Sequence, residues 1–224
     1  MTLFNSGSDA GVDILERKKS VGSGGSSSRE AHPGKVEGTD LTVNLYPHPS
    51  LRAPNLAVTA AEIESGEAEE MVNTLLAIMY AAEGCGLAAP QVGMNKRVLV
   101  FNPTGNRVNR GSEQVYLNPE ITDKSRSTEV EHEGCLSFPN MTGRVVRPRW
   151  VAFKATDLSG RTVRRKLNGW AARVFLHEFD HLEGVLYVDR VLEEDREEVG
   201  LGLRALREEW GLVGEGKDGL EGVE

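Results

Sequence analysis

Two histidines four residues apart, His177 and His181, bracket Glu178 in the run His177-Glu178-Phe179-Asp180-His181. On a helix, positions i and i+4 share a face, so both imidazoles can reach one divalent ion. Glu178 follows the first histidine and stands beside that ion, where its carboxylate can take a proton from a bound water. The chemistry this pattern suits is metal-assisted hydrolysis. The pattern is short, however, and also arises on helices that bind nothing, so a third ligand has to be found.

Zinc proteases complete the set with a third histidine or a distal acid, and here the position of that third histidine holds Tyr187. Glu197 and Glu198 lie in a charged run that reads as a solvated helix face. Cys135 is the better candidate. It stands in Glu133-Gly134-Cys135-Leu136-Ser137, a loop whose glycine permits close backbone approach, and a thiolate binds a divalent cation strongly. A lone cysteine by itself reads as a small buried hydrophobe; beside the histidine motif it reads as a ligand. A third run, Gly84-Cys85-Gly86-Leu87-Ala88-Ala89-Pro90-Gln91, is a tight loop of small residues. Alone it is a helix stop followed by a packed turn, but Gln91 offers an amide donor suited to a developing oxyanion.

The elements that must position these residues follow from apolar spacing. Met71, Leu75, Ile78, Met79 and Ala82 recur at three and four, predicting an amphipathic helix over 67–82, stopped by Gly84 and Gly86. Residues 97–101 and 114–118 read as strands followed by proline-containing loops. Residues 145–157 read as a strand interrupted by Pro148, with 162–167 returning as its hairpin partner across Leu158-Ser159-Gly160. Helices are expected over 170–182, carrying the histidine motif, and over 189–210. Strands in the middle and helices at both ends indicate the α+β class.

Composition bounds the rest. The chain has 224 residues, 39% hydrophobic and 27% charged, ordinary globular values, and no apolar run of membrane-spanning length. Its net charge of −8 is unevenly spread: residues 1–40 carry 5 basic and 6 acidic side chains, 41–188 carry 16 of each, and 189–224 carry 5 and 12. The central part is neutral overall and shows no electrostatic footprint of nucleic-acid binding. Two cysteines in glycine-rich motifs read as reduced and functional. Residues 1–40, with Gly22-Ser23-Gly24-Gly25-Ser26-Ser27-Ser28, read as a disordered extension or targeting leader, 41–190 as the catalytic domain, and 191–224 as a charged C-terminal helix with an acidic tail.

The three motifs GCGLAAPQ (84–91), EGCLS (133–137) and HEFDH (177–181), in this order, resemble those of peptide deformylases, and the likeness runs over 46–190. EGCLSFP, VVRP (145–148) and Arg173 are similar to the plastid and bacterial type-1B branch. The resemblance implies mixed or antiparallel strands around a central metal-binding helix. It implies a metal held by Cys135, His177 and His181, natively Fe2+ with Zn2+, Ni2+ or Co2+ also able to occupy the site. Glu178 would be the general acid/base, with the Gln91 amide and the Leu136 backbone N–H as oxyanion donors. Gly86 and Gly134 would let a substrate backbone pair like an added strand. Cys85, Trp170, Val174 and the stem of Arg173 would wall a methionine pocket, and Glu133 would pair with Arg147 behind the metal. The substrate would be N-formyl-methionyl nascent peptides, with transient ribosome association and neither a membrane nor nucleic-acid sequence recognition. The compartment would be a bacterial cytoplasm or an organelle stroma or matrix, the plastid before the mitochondrion. The acidic 189–224 segment, net −7, departs from the basic C-terminal helix through which bacterial relatives meet the ribosome. A zincin-like metallopeptidase and a non-catalytic metal-binding relative are the alternatives.

Overall fold

The computed structural model describes residues 34–211, so most of the 1–40 leader and the acidic end beyond Gly211 lie outside the described residues. Between the cores and the site runs an extended entry segment. Its Asn44 N–H donates to the Gln91 carbonyl at 2.7 Å and its Tyr46 N–H to the Ser137 carbonyl at 2.9 Å, tying two of the motifs together.

Helix α1 (Ala60–Glu64) starts with a capping box, the Thr59 hydroxyl accepting from the Glu62 N–H and the Glu62 carboxylate from the Thr59 N–H. Helix α2 (Glu67–Ala81) buries Leu75, Ile78 and Met79 of the expected stripe, together with Ala68 and Val72, while Met71 and Ala82 are only partly buried at its margin. Seven strands follow: β1 (Gly86–Ala88), β2 (Val98–Phe101), β3 (Gln114–Lys124), β4 (Thr128–Cys135), β5 (Phe138–Pro148), β6 (Trp150–Thr156) and β7 (Thr162–Asn168). Helix α3 (Gly169–Leu182) carries the histidine motif, and α4 (Arg196–Glu209) closes the described chain.

Among the described residues the seven strands all pair antiparallel, the parallel bridge of Leu56 with Lys96 lying outside them; five strands form one sheet in the order β1-β2-β3-β6-β7, while β4 and β5 form a separate hairpin. Strand alternation explains why Val98-Leu99-Val100-Phe101 is apolar throughout. Val98 and Val100 pack with α2 in one core; Leu99 and Phe101 pack with α3 in the other. Tyr116 and Leu117 divide in the same way. A third core joins α4 (Val199, Leu203, Leu206) to Phe138, Val145 and Tyr187. The α+β class expected from the sequence is the architecture observed.

Several boundaries differ from expectation for local reasons. The expected strand 145–157 is two strands in different sheets: it breaks after Pro148, and the Arg149 N–H bonds Ser127 rather than a ladder partner. Strand β3 runs beyond 118 to Lys124 through a register shift at Asn118-Pro119, where Asn118 takes φ +49° and both ends of its amide bond Val58. Gly86–Ala88 is strand, not loop, and Ala89–Val92 is a 3-10 turn. Glu133, Gly134 and Cys135 end β4 instead of forming a loop, with a register shift between Gly134 and Cys135. The expected helix 189–210 is two short 3-10 turns, Tyr187–Arg190 and Glu193–Asp195, followed by α4. The break is locked by Asp195, whose carboxylate takes the Arg144 backbone N–H at 2.6 Å and its guanidinium at 2.7 Å.

Candidate metal centre

Helix α3 sends four side chains of the site in one direction. Arg173, His177, Asp180 and His181 stand at i, i+4, i+7 and i+8, one face of a helix, and all four are buried. The two imidazoles lie with ring centroids 5.2 Å apart. Cys135, delivered by the end of β4, completes the cluster: one ligand atom from each of Cys135, His177 and His181 falls within 4.8 Å of the other two. Among the described residues this is the one such cluster of histidine, cysteine or acid.

Behind His177 stands Glu133, fully buried. It takes Arg147 as a two-pronged partner (2.9 Å to each oxygen), Arg173 at 2.7 Å and His177 Nδ1 at 2.9 Å. Burial opposes ionisation of Glu133, but the Arg147 guanidinium and the His177 contact prevail and hold it well below the usual carboxylate range. Arg147 also pairs with Asp180, which Arg190 clamps from the other side at 2.6 and 2.7 Å. Arg173 further donates to the carbonyls of Val145 and Glu129. A carboxylate on Nδ1 leaves Nε2 as the free ring nitrogen of His177, the arrangement by which proteins orient a metal-bound imidazole.

At the cluster itself His181 Nε2 lies 3.3 Å from Cys135 Sγ, but other polar atoms are unpartnered. His177 Nε2, His181 Nδ1 and both oxygens of Glu178 are buried without a hydrogen-bond partner. Burial raises the Glu178 carboxyl above its ordinary range. Burial would make His177 less basic, yet the Cys135 sulfur, Glu133 and Glu178 reverse this and hold it up to about 10; His181, equally buried, is driven well below the histidine range. The surroundings thus call for one positive charge among sulfur and carboxylates. A sulfur and two imidazoles around it are the donor set of a tight divalent site, and the residues present fit a metal ion.

Gln91 is fully buried beside the cluster. Its Oε1 accepts the Ala88 N–H at 2.9 Å, which turns its Nε2 toward Cys135 Sγ (3.5 Å) and Ser137 Oγ (3.3 Å). Leu136 follows Cys135 in the turn between β4 and β5, and its side chain fills the space a Cβ on Gly84 would need, 2.7 Å away. A Cβ on Gly86 would lie 2.5 Å from Glu178 Oε1, so glycine there sets how closely β1 approaches the acid. Gly134 is buried at the β4 register shift.

The remaining candidates are dispersed. Cys85 and Val174 are buried in the core under α3. Trp170, 37% exposed, opens α3 and donates its indole N–H to the Pro103 carbonyl. The Arg173 guanidinium is committed to Glu133, leaving only its stem for any pocket wall. Tyr187 is no ligand; its ring stacks on His177 at 6.1 Å and meets Phe138 edge-on. Glu197 and Glu198 are exposed on α4. Sequence reasoning passed over Asp180, Ser137 and Arg190. The signal for Asp180 was its place on the buried face of α3, three residues after His177.

Residues 41–197 match the family model for polypeptide deformylase. The chain is 41% identical over 170 residues to rice peptide deformylase 1B, chloroplastic, covering 76% of this chain and 62% of that one. It is 40% identical over 154 residues to the peptide deformylase of Rhodopirellula baltica, covering 69% and 74%. In structure it is similar to Arabidopsis thaliana peptide deformylase 1B, with TM-score 0.72, 37% identity, and coverage of 76% of this chain and 91% of that one. The chain thus spans less than two thirds of the length of the rice relative.

Proposed function

The chain belongs to the peptide deformylase family, and from that premise we propose that it removes the N-formyl group from the initiator formyl-methionine of nascent polypeptides, releasing formate. The observation that carries the reading is the juxtaposition of the Cys135, His177 and His181 cluster with an acid whose two oxygens are buried and unpartnered. A structural metal site has no use for such an acid.

Cys135, His177 and His181 would hold a divalent ion, Fe2+ natively and replaceable by Zn2+, Ni2+ or Co2+, which would lower the pKa of water toward neutrality and supply Lewis acidity at the formyl oxygen. Glu178 accepts the proton of the attacking water and hands it to the amine as the C–N bond breaks, so formate and a free N-terminus result. Gln91 Nε2 and the Leu136 backbone N–H meet the negative charge that develops on the formyl oxygen. Gly86 and Gly134, with no side chains of their own, let a peptide backbone approach β1 and β4 closely. Cys85, Val174, Trp170 and the Arg173 stem receive the methionine side chain. Residues 41–190 form the catalytic domain. Transient ribosome association belongs to this reading, as does a location in a bacterial cytoplasm or, among organelles, the plastid stroma; sequencing the mature N-terminus decides between these.

The test is formate release from formyl-Met-Ala-Ser by the Fe- or Ni-loaded protein, with metal content measured on the same preparation. Stoichiometric formate and amine are expected. Cleavage of an internal peptide bond without formate would replace this reading with a zincin-like metallopeptidase, and bound metal without any turnover with a non-catalytic relative.

A further inference from the structure

Beyond Leu182 the chain leaves α3 through Gly184, at φ +68°, and enters the 3-10 turn Tyr187–Arg190. Two arginines staple that turn. Arg52 forks onto the Asp189 carboxylate at 2.5 and 2.7 Å and also donates to the Gly184 carbonyl at 2.9 Å. Arg190 forks onto the Asp180 carboxylate from Nε at 2.6 Å and Nη2 at 2.7 Å. As ion pairs the two are closely matched, with the arginine side chains 41% and 44% exposed.

They differ in where they lead. Asp189 next accepts the Leu186 backbone N–H at 2.7 Å, so that contact closes within the turn itself. Asp180 is buried, and its Oδ2 also accepts Arg147 Nη1. Arg147 in turn holds both oxygens of Glu133 at 2.9 Å, and Glu133 Oε2 meets His177 Nδ1 at 2.9 Å. A continuous row of charge-assisted contacts therefore runs from the half-exposed Arg190 to a histidine of the cluster. The same turn reaches that histidine a second way, since the Tyr187 ring lies 6.1 Å from the imidazole with the planes 24° apart.

Stability alone does not call for this row. Buried ion pairs recover little beyond their desolvation cost, and well-packed apolar side chains of similar volume often serve as well. Neutrality does not call for Arg190 either, because Glu133, Asp180, Arg147 and Arg173 are two acids and two bases already paired. What Arg190 adds is a second partner for Asp180. Without it, Asp180 would draw on Arg147 alone, in competition with Glu133.

We infer that Arg190 is a positioning residue for the metal centre. By sharing Asp180 it leaves the Arg147 fork on Glu133, and Glu133 fixes the tautomer and the plane of the His177 imidazole. The inference rests on the deformylase reading in so far as that reading requires a metal at Cys135, His177 and His181.

The test is chelator competition on the Co2+-loaded full chain, with the visible Co2+ bands recorded on the same samples. Arg190→Ala should hold Co2+ about tenfold more weakly, the low end of the usual loss when the partners behind a metal-bound histidine are changed, and its bands should shift. Arg190→Gln, which removes the charge, should behave alike and serves if the alanine variant does not fold. Arg190→Lys keeps the charge without the fork and should recover part of both effects. Arg52→Ala removes the matched staple of the same turn and should leave affinity and bands unchanged, whatever it costs in the urea midpoint. Parental affinity and bands in the Arg190 variants, or an equal loss in Arg52→Ala, would overturn the inference and leave Arg190 a staple only. Failure of the parent to hold Co2+ would sink the metal centre and this inference together. Tight Co2+ binding that responds to Arg190, without formate release from formyl-Met-Ala-Ser, would sink the deformylase reading and leave the role of Arg190 standing.

Discussion

Around Glu133, toward the β4–β5 hairpin, every buried charge has a partner, whereas around the Cys135, His177 and His181 cluster and Glu178 several buried polar atoms have none. Glu133, Asp180, Arg147 and Arg173 form a continuous ion-paired network. Glu178 and the free ring nitrogens of His177 and His181 sit a few residues away with nothing to bond. An unpartnered buried polar group costs about 1–3 kcal/mol, so folding tolerates it only where another requirement acts on the residue. The contrast separates a paired framework from a set of unpartnered groups, which the proposed reaction assigns to ligand and substrate.

Glu178→Ala strikes the unpartnered set. Turnover should fall by about 10²–10⁴-fold, the usual worth of a positioned acid/base, while metal content and Tm hold or Tm rises slightly as an unpartnered buried acid is removed. Full activity in this variant would remove Glu178 from the mechanism. A Tm loss as large as that of a framework variant would erase the contrast itself.

Glu133→Ala strikes the framework. It leaves Arg173 as a buried charge without a carboxylate and Arg147 with Asp180 alone, and stability should fall by about 3–5 kcal/mol, read from the urea midpoint at constant m-value. Little change there would mean the network is incidental. Gln91→Ala tests which side Gln91 belongs to. As an oxyanion donor it should cost about 3–4 kcal/mol in kcat/KM with a stability change smaller than that of Glu133→Ala; the reverse ranking would assign it to the framework.

The smallest effect lies farthest from the site. Hydrogen bonds from the Arg144 side chain and backbone hold the Asp195 carboxyl down at about 2, against roughly 3.9 in an unfolded chain. A depressed carboxylate stabilises the fold above its unfolded pKa and loses that contribution as pH falls through the folded one. Wild type should therefore be more stable than Asp195→Asn near neutrality, and the gap in urea midpoints should close as pH drops from about 4 to 2. A gap that persists below that range would show that the clamp acts through shape and not charge.

Legibility followed the range of the interactions. The buried stripe of α2, the β6–β7 hairpin and the helix bearing His177 and His181 are set by neighbours within a few residues, and spacing alone displayed them. The interruption at Pro148 was legible, but the change of sheet there was hidden because which sheet a strand joins depends on partners far away in sequence. Cys135 was found through the company of its motif, but its place at the end of β4 depends on the hairpin with β5. Asp180 escaped notice because an acid on a helix is usually solvated; only Arg147 and Arg190, brought from two other elements, show why it is buried.

By itself, the sequence determined the kind of chemistry: two imidazoles one helical turn apart beside an acid, and a cysteine in a glycine-bearing motif. Helical periodicity and donor chemistry are local properties that survive without a fold. Only the tertiary structure decided which polar atoms are paired and which are left bare, because that depends on burial and on contacts such as Glu133 with Arg173, 40 residues apart. Desolvation makes those contacts strong and their absence costly, and desolvation is something a chain acquires only by folding.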